Sequence, residues 1–264
     1  MPNVAASNLP NPQSYDTTDP DVVFDRITRL SWQRLVSPKN YAQDGAVGYC
    51  ADLRLAGHQD WRAPTLIELA SIADPTRADP AIDPSAFPDT PPAPFWSSEL
   101  DATKTGLRGW YVFFKTGGAY VGNDVGDPQR IRCVRGHTSC TDLEVSPYAP
   151  AGDAVRDKFT GLTWQRAAPH DTYRWPDASV YCARLDSNGT GWRLPSLREL
   201  LTLVDTSRVD PAIDVSAFPN TPIEFFWSSS ASGAAPETAW GVNFTRGSSG
   251  AAHKSTTAHV RCTR

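Results

Sequence analysis

The feature that most constrains the fold is an internal repeat, because the second half of this 264-residue chain returns the motifs of the first half in the same order. The run DRITRLSWQR at 25–34 returns as DKFTGLTWQR at 157–166, and WRAPTLIEL at 61–69 returns as WRLPSLREL at 192–200. Further matches are YCA at 49–51 and 181–183, DPAID at 79–83 and 210–214, FWSS at 95–98 and 226–229, and the Arg-Cys pairs at 132–133 and 261–262. So many ordered matches predict two tandem copies of one module.

The repeat divides the chain into module one, residues 20–136, and module two, residues 152–264. Residues 137–151 between them contain Ser, Thr, Pro and Gly, which is typical of a linker. Residues 1–19 are polar and rich in Pro, Asn and Ser, so we expect a flexible N-terminal arm with little regular structure. Each module is long enough to bury a hydrophobic core of its own.

Four of the five cysteines occupy matching places in the two modules, and we predict one disulfide within each. Cys50 would pair with Cys133, and Cys182 with Cys262; the alternative is four buried thiols. Each bridge would close a loop of roughly 80 residues and stabilise its module by about 4 kcal/mol. Disulfides indicate an oxidising compartment, so we expect an extracellular, cell-surface or periplasmic location. Cys140, in the linker, is left over, and its role and partner are open.

The composition argues against several functional classes. The formal net charge is −4, whereas nucleic-acid binding needs a basic face, so we expect no nucleic-acid partner. No stretch of the sequence is long and apolar enough to span a bilayer. No CxxC motif or Cys/His cluster with zinc spacing occurs, and we predict neither a metal nor another cofactor. No signal-peptide pattern opens the chain, so we interpret its start as that of a mature or trimmed protein.

Hydrophobic periodicity predicts a first helix in each module, at 44–55 and 176–185. In module one, four residues at i, i+3, i+4 and i+7 spacing form a stripe that we expect to face inward: Ala46, Tyr49, Cys50 and Leu53. The first helix would thus present its cysteine to the core, where the last strand supplies the second cysteine.

A second helix follows in each module. Thr65 and Ser196 precede apolar runs, and Glu68 and Glu199 stand three residues later, which is the pattern of a capping box. The loop 74–90 after this helix is rich in Pro and Asp, and we expect it to lie on the surface.

Alternating residues predict an antiparallel hairpin in the C-terminal half of each module. Both modules keep large apolar residues at matching positions, which we assign to the core: Trp110, Val112 and Phe114, and Trp240, Val242 and Phe244. The intervening positions differ between the modules, and we assign them to the solvent face. The last strands are predicted at 131–135 and 260–264, and each module is therefore an α+β fold with two helices and a twisted antiparallel sheet.

These motifs resemble the family named for the C-terminal domain of the Legionella collagen-like protein. The resemblance rests on TGLTWQR, WRLPSLREL, PAID with the later AFP, FWSS and the closing RCVR, and it covers nearly the whole chain, once per module. Module one departs from the pattern at 27–30 and at Ala63. The resemblance implies a C-type-lectin-like fold, of the broad kind shared with formylglycine-generating enzymes, in a secreted or surface module of bacteria. The namesake domain is an adhesin that binds sulfated glycans.

Residues kept in both modules are more typical of a core than of a ligand site. We therefore assign the repeated tryptophans to the interior, although they could stack on sugars, and expect Arg62 and Arg193 to pair with Glu68 and Glu199 or to cap carbonyls. One Asp triplet recurs, and for it we favour turn formation over calcium binding: Asp74, Asp79 and Asp83, and Asp205, Asp210 and Asp214. The calcium-binding tripeptides of true C-type lectins do not occur.

The candidate ligand residues lie on the face that differs between the modules. Module one offers exposed aromatics beside polar groups: Tyr111, Phe113, Lys115, Tyr120, Asn123 and Asp124. Module two offers a smaller and more basic set: Asn243, Arg246, His253 and Lys254. Aromatic rings take the apolar side of a pyranose, and amide and carboxylate groups bind its hydroxyls. The alternative to a binding face is an ordinary solvent-exposed sheet surface that binds no ligand.

The sequence favours a tandem glycan-binding module with no catalytic residues. The alternative is a protein-interaction module of the bacterial envelope, in which two copies give avidity. A second alternative is an enzyme with a formylglycine-generating-enzyme-like fold. No His recurs between the modules, and no nucleophile elbow or phosphate loop occurs, so we predict that the chain is not an enzyme. The ligand, the oligomeric state and whether both modules bind are open; an oligomer is compatible with the sequence.

Overall fold

A computed structural model describes residues 1–103, 107–136, 147–185 and 191–264. The chain divides into two compact units, Met1–Thr138 and Ser139–Arg264, and both have the predicted α+β composition. Cys140 and residues 137–146 of the predicted linker lie outside the described residues.

Module one contains two antiparallel sheets and two α-helices, and a short 3-10 helix (Ala5–Ser7) precedes them in the N-terminal segment. The first sheet joins the start of the module to its end, in the order β1 (Tyr15–Asp16), β2 (Val22–Asp25), β3 (Ser31–Gln33) and β7 (Val134–Arg135). The helices follow β3 and are α1 (Gln43–Asp52) and α2 (Leu66–Ile72). The second sheet has the order β4 (Pro94–Leu100), β5 (Arg108–Phe113) and β6 (Gly118–Asp124).

Module two repeats this plan, but its first sheet has three strands instead of four. Its first sheet contains β8 (Tyr148–Ala151), β9 (Ala154–Asp157) and β10 (Thr163–Gln165). Strand β11 (Tyr173–Arg174) leads into α3 (Trp175–Arg184) and pairs with β15 (Thr257–Ala258), and α4 is Leu197–Leu201. The hairpin sheet is β12 (Phe225–Ala231), β13 (Thr238–Asn243) and β14 (Ser249–His253).

The disulfides are those predicted from the repeat. Cys50 bonds to Cys133 and Cys182 to Cys262, and all four residues are buried. Each bridge joins the first helix to the chain just before the end of the module. It sits in a small core with Trp96 or Trp227, both of which are fully buried. The disulfide is therefore part of the packing that holds the helix on the hairpin sheet.

Both capping boxes are present. The Thr65 side chain accepts a hydrogen bond from the Glu68 amide while the Glu68 carboxylate accepts one from the Thr65 amide, and Ser196 and Glu199 do the same. The two glutamates also bind the predicted arginines through paired hydrogen bonds of 2.6–2.7 Å: Arg62 with Glu68, and Arg193 with Glu199. Satisfied helix ends and charge pairing fix both second helices at their predicted starts.

The core assignment of the hairpin is confirmed. Trp110, Val112 and Phe114 are at most 1% exposed, and the matching residues of module two are at most 2% exposed. Most of the repeated tryptophans are buried as predicted, whereas Trp192 is half-buried beneath the Arg264 guanidinium.

Three expectations about the edges of the modules need correction. Helix α1 ends at Asp52, because Leu53 is already extended, so Tyr49 and Leu53 of the predicted inward stripe are only half-buried. The loop 74–90 does not lie only on the surface, since its residues Ile82 and Phe87 are fully buried. The last strands are shorter than predicted: β7 spans two residues, and in module two residue Thr263 forms only isolated bridges.

Each module begins earlier than the sequence motifs suggest. Tyr15 of β1 and Tyr148 of β8 lie opposite the matching residues Asp25 and Asp157. Each tyrosine also meets a matching phenylalanine edge to face, Phe87 at 5.4 Å and Phe218 at 5.0 Å. The expected arm and linker therefore each supply one strand, which covers a core phenylalanine.

Candidate binding surfaces

The side chains of Tyr111, Phe113 and Tyr120 form what we call the aromatic face of module one. All three are half-buried rather than fully exposed. Tyr111 lies directly opposite Tyr120 in the ladder between β5 and β6, and their rings are 5.7 Å apart with a 32° tilt. Tyr111 also meets Trp96 edge to face at 6.3 Å, which anchors it to the disulfide core.

A glycine on β6 determines how Tyr120 lies. Gly118 is opposite Phe113, and a β-carbon at Gly118 would come within 2.7 Å of the Tyr120 ring. The phenol of Tyr120 therefore lies back along its own strand, over Gly118 and towards Phe113. Burial raises the pKa of both Tyr111 and Tyr120, so both hydroxyls keep their protons further into the alkaline range than an ordinary tyrosine.

The polar residues predicted beside this face are not gathered on it. Lys115 is exposed in the turn after β5. Asn123 and Asp124 lie three and four residues beyond Tyr120, which is about 10–13 Å along an extended strand. Asp124 accepts a hydrogen bond from the Gly126 amide and so shapes the loop after β6. The structure thus brings together the three aromatic candidates and separates them from Asn123 and Asp124.

The four candidates of module two lie at two ends of its hairpin. Asn243 and Arg246 are exposed near the β13–β14 turn, where the Asn243 side chain accepts from the Thr245 amide. His253 and Lys254 lie at the opposite end of β14. The Lys254 ammonium stands 4.7 Å from the centre of the Trp175 ring, a cation–π contact that sequence reasoning missed. These residues do not form a single site.

Module two has no aromatic residue at the three ladder positions of the aromatic face, all of which lie within its described residues. Gly241 and Gly250 occupy the ladder positions of Tyr111 and Tyr120, and Asn243 occupies that of Phe113. The ring of Phe225, from the neighbouring strand, lies over Gly241 instead.

A second aromatic surface occurs in both modules and was also missed. Tyr41 and Tyr49 stack at 5.1 Å beside α1, and Tyr173 and Tyr181 lie 4.8 Å apart beside α3. Gln33 donates to the hydroxyl of Tyr49, as Gln165 does to that of Tyr181. All four tyrosines are half-buried. The repeated YCA triplet was the available signal, but helical periodicity assigned its tyrosine to the interior.

The Asp triplets are engaged in local turns. Asp74 accepts hydrogen bonds from the amide and hydroxyl of Thr76, and Asp214 accepts them from Ser216. Asp79 and Asp210 have positive φ angles of 52°, at corresponding points of their loops. Within the described ranges, no group of three or more His, Cys, Asp or Glu side chains is placed to hold a metal ion.

Comparison with known proteins identifies the repeat. A sequence model of the Lcl C-terminal domain matches residues 21–135 and again 153–264. The chain belongs to the Lcl C-terminal domain family. Both matches begin after the extra strands that contain Tyr15 and Tyr148. No curated protein matches the chain.

Two tandem Lcl C-terminal domains support a role as a binding module of the envelope. The disulfides are consistent with an extracellular or periplasmic location. Across the residues that the structure describes, no helix has the length and apolar character needed to cross a membrane.

Proposed function

We propose that the chain is a non-catalytic envelope protein that recognises glycans through the aromatic face of module one. The observation that carries this proposal is the half-exposed group of Tyr111, Tyr120 and Phe113, anchored to the disulfide core through Trp96. Because Tyr111 is braced by Trp96 and Tyr120 lies along its strand over Gly118, little side-chain entropy is lost when a ligand packs on them.

The chemistry of the aromatic face suits a sugar ring. Aromatic carbon presents an apolar surface to the C–H side of a pyranose, and the phenol hydroxyls both donate and accept hydrogen bonds. The raised pKa values of Tyr111 and Tyr120 favour their neutral, donating forms. Lys115, exposed beyond the end of β5, could reach an acidic group on a longer saccharide.

The difference between the modules supports module one as the location of the proposed activity. A surface maintained only for folding would need fewer aromatic side chains, since module two forms the same hairpin with one ring, that of Phe225, over Gly241. Gly250 and Asn243 occupy the other two positions of module two, so the fold is compatible with non-aromatic residues where module one has Tyr120 and Phe113.

The test is a glycan array probed with the full chain and with Phe113→Asn, which introduces the residue found at this position in module two. We expect selective signals for the wild type and their loss in the variant, with unchanged thermal unfolding. An array on which wild type and variant bind alike would contradict the proposal. An array with no signal, together with a saturable complex between the chain and a purified envelope protein, would favour the protein-interaction alternative.

A further inference from the structure

We infer that module one has a second ligand site, in a groove beside α1, that selects an acidic saccharide. The groove is open, has a volume of about 500 Å³, and is lined among others by Lys39, Tyr41, Gly45, Gly48, Tyr49 and Arg54. This inference shares with the proposed function the class of ligand, but it uses a different surface and different residues.

The glycines leave room that a helix would ordinarily fill. Gly48 lies in the interior of the ten-residue helix α1, where it costs about 1 kcal/mol relative to Ala, and Gly45 lies in the first turn of the same helix. A β-carbon at Gly48 would meet no atom within 4 Å, and one at Gly45 would touch only Tyr41, at 3.7 Å. No packing contact requires a glycine at Gly48. Because Gly45 and Gly48 have no side chains, the space beside Tyr41 and Tyr49 stays open.

The walls of the groove offer stacking and hydrogen bonding. The rings of Tyr41 and Tyr49 stack with a 27° tilt. Because the Tyr49 hydroxyl accepts from the Gln33 amide at 2.9 Å, its own proton is available to a ligand oxygen. Asp52, exposed on the next turn, can accept from a sugar hydroxyl.

The charges at the groove favour an anion. The Lys39 ammonium lies 5.2 Å from the centre of the Tyr41 ring, and the Arg54 guanidinium is held at the end of α1 by the Ala51 and Leu53 carbonyls. Asp52 is the opposing charge between them. A carboxylate on a sugar packed against the tyrosines would lie within reach of the cations.

Module two has the same tyrosine pair with different surroundings. Asp171 stands in the place of Lys39, Val180 in that of Gly48, and Arg184 in that of Asp52. Arg184 is close enough to influence Tyr173 electrostatically, so module two has a cation on the other side of its pair. Because Val180, which is 48% exposed, fills the position of Gly48, we expect an acidic saccharide to bind the groove of module one only.

The experiment is an NMR titration of the full chain with tri-galacturonate and with its fully methyl-esterified form. We expect tri-galacturonate to shift the ring resonances of Tyr41 and Tyr49, and the neutral ester to bind about fivefold more weakly, as for loss of an exposed ion pair. Lys39→Asp should weaken binding at least as much. The control Lys158→Asp makes the same change in net charge at an exposed site of module two.

The variant Gly48→Val tests whether ligand binding can be blocked while the module stays folded. Val has a higher helix propensity than Gly, so the variant should remain folded while its side chain occupies the groove and abolishes the shifts. Equal binding of the acid and the ester, equal effects of the two Lys variants, or shifts that survive Gly48→Val would overturn the inference. Phe113→Asn leaves the groove intact, so failure of the proposed function would not remove these shifts.

Discussion

The ring of Phe225 lies against Gly241 so closely that a β-carbon on that glycine would come within 2.6 Å of two ring atoms. Gly241 and Trp227 are directly opposite in the β12–β13 ladder, and Trp227 is the fully buried partner of the disulfide. One aromatic ring from β12 thus covers the position that Tyr111 fills from β5 in module one. The two modules close the same sheet with aromatic side chains from different strands.

This contact predicts that Gly241→Ala destabilises module two. The new methyl group would collide with the carbonyl oxygen of Phe226 as well as with the ring of Phe225, and the backbone oxygen cannot move aside. We expect a loss of about 2–3 kcal/mol in the free energy of unfolding, as for other overpacked sites. The control is Gly250→Ala, whose β-carbon would lie 3.7 Å from the ring of Phe225. Equal unfolding midpoints of the two variants would contradict this packing.

The disulfides predict a large loss of stability when a bridge is removed. Cys50→Ala with Cys133→Ala opens a loop with a sequence separation of 83 residues, and Cys182→Ala with Cys262→Ala one of 80. The entropy of the unfolded chain then rises, and each pair of changes should cost about 4 kcal/mol. Chemical denaturation of the two double variants measures this, and we expect similar losses. If reduction of the disulfides leaves the stability of the wild type unchanged, the bridges do not stabilise the modules.

Each module has a fully buried arginine, with Asp89 near the one in module one and Asn220 at the matching position of module two. Exchanging Asp and Asn at these positions should therefore have opposite effects on the stability of the two modules. Arg132 has Asp89 at 3.5 Å, whereas Arg261 forms no ion pair among the described residues and has Asn220 at the matching position. Burial lowers the pKa of Arg132 to about 10 and that of Arg261 to about 9. Arg261 donates hydrogen bonds to neutral oxygens and packs on the rings of Phe218 and Phe226. A carboxylate at 220 should therefore stabilise this cation.

We expect Asn220→Asp to raise the free energy of unfolding of module two by about 1 kcal/mol, and Asp89→Asn to lower that of module one by a similar amount. Urea denaturation of both variants at neutral pH provides the measurement. High salt should reduce the gain only partly, because the guanidinium is buried. Destabilisation by Asn220→Asp would mean that the new carboxylate is unable to reach Arg261.

The two tyrosines of the aromatic face should make the stability of the protein depend on pH in the alkaline range. Burial raises the folded-state pKa of Tyr111 and Tyr120, so above their ordinary value of about 10 the folded chain binds more protons than the unfolded chain. The stability linked to these protons is complete below pH 10 and is lost as the pH rises through the folded-state values. Replacing both tyrosines with Phe should flatten the decline of stability above about pH 10. Urea unfolding at a series of pH values measures the decline. An identical decline in the wild type and the variant would contradict the burial of Tyr111 and Tyr120.

The sequence predicts the parts of the fold that depend on a few neighbouring residues. The capping boxes at Thr65 and Ser196 are local patterns, and the core of the hairpin follows from strict alternation that both modules keep. The cysteine pairs follow from their matching places in the repeat. None of these requires knowledge of which side chains meet across the fold.

The features that the sequence did not predict depend on contacts between distant residues. Tyr15 and Tyr148 are single matches without a surrounding motif, so their strands were assigned to the arm and the linker. Tyr49 has the period of an inward residue, but α1 ends at Asp52 and leaves its ring at the edge of the groove. Asn123 and Asp124 are close to Tyr120 in the sequence and are separated from it by the extension of β6.

The central claim is that module one binds a saccharide on its aromatic face, and aromatic NMR of the full chain tests it most directly. Adding the strongest ligand from the array should shift the ring resonances of Tyr111, Tyr120 and Phe113 and leave those of Phe225 in place. A ligand that binds while those three rings are unperturbed, or that shifts only Phe225 and its neighbours in module two, would contradict the claim.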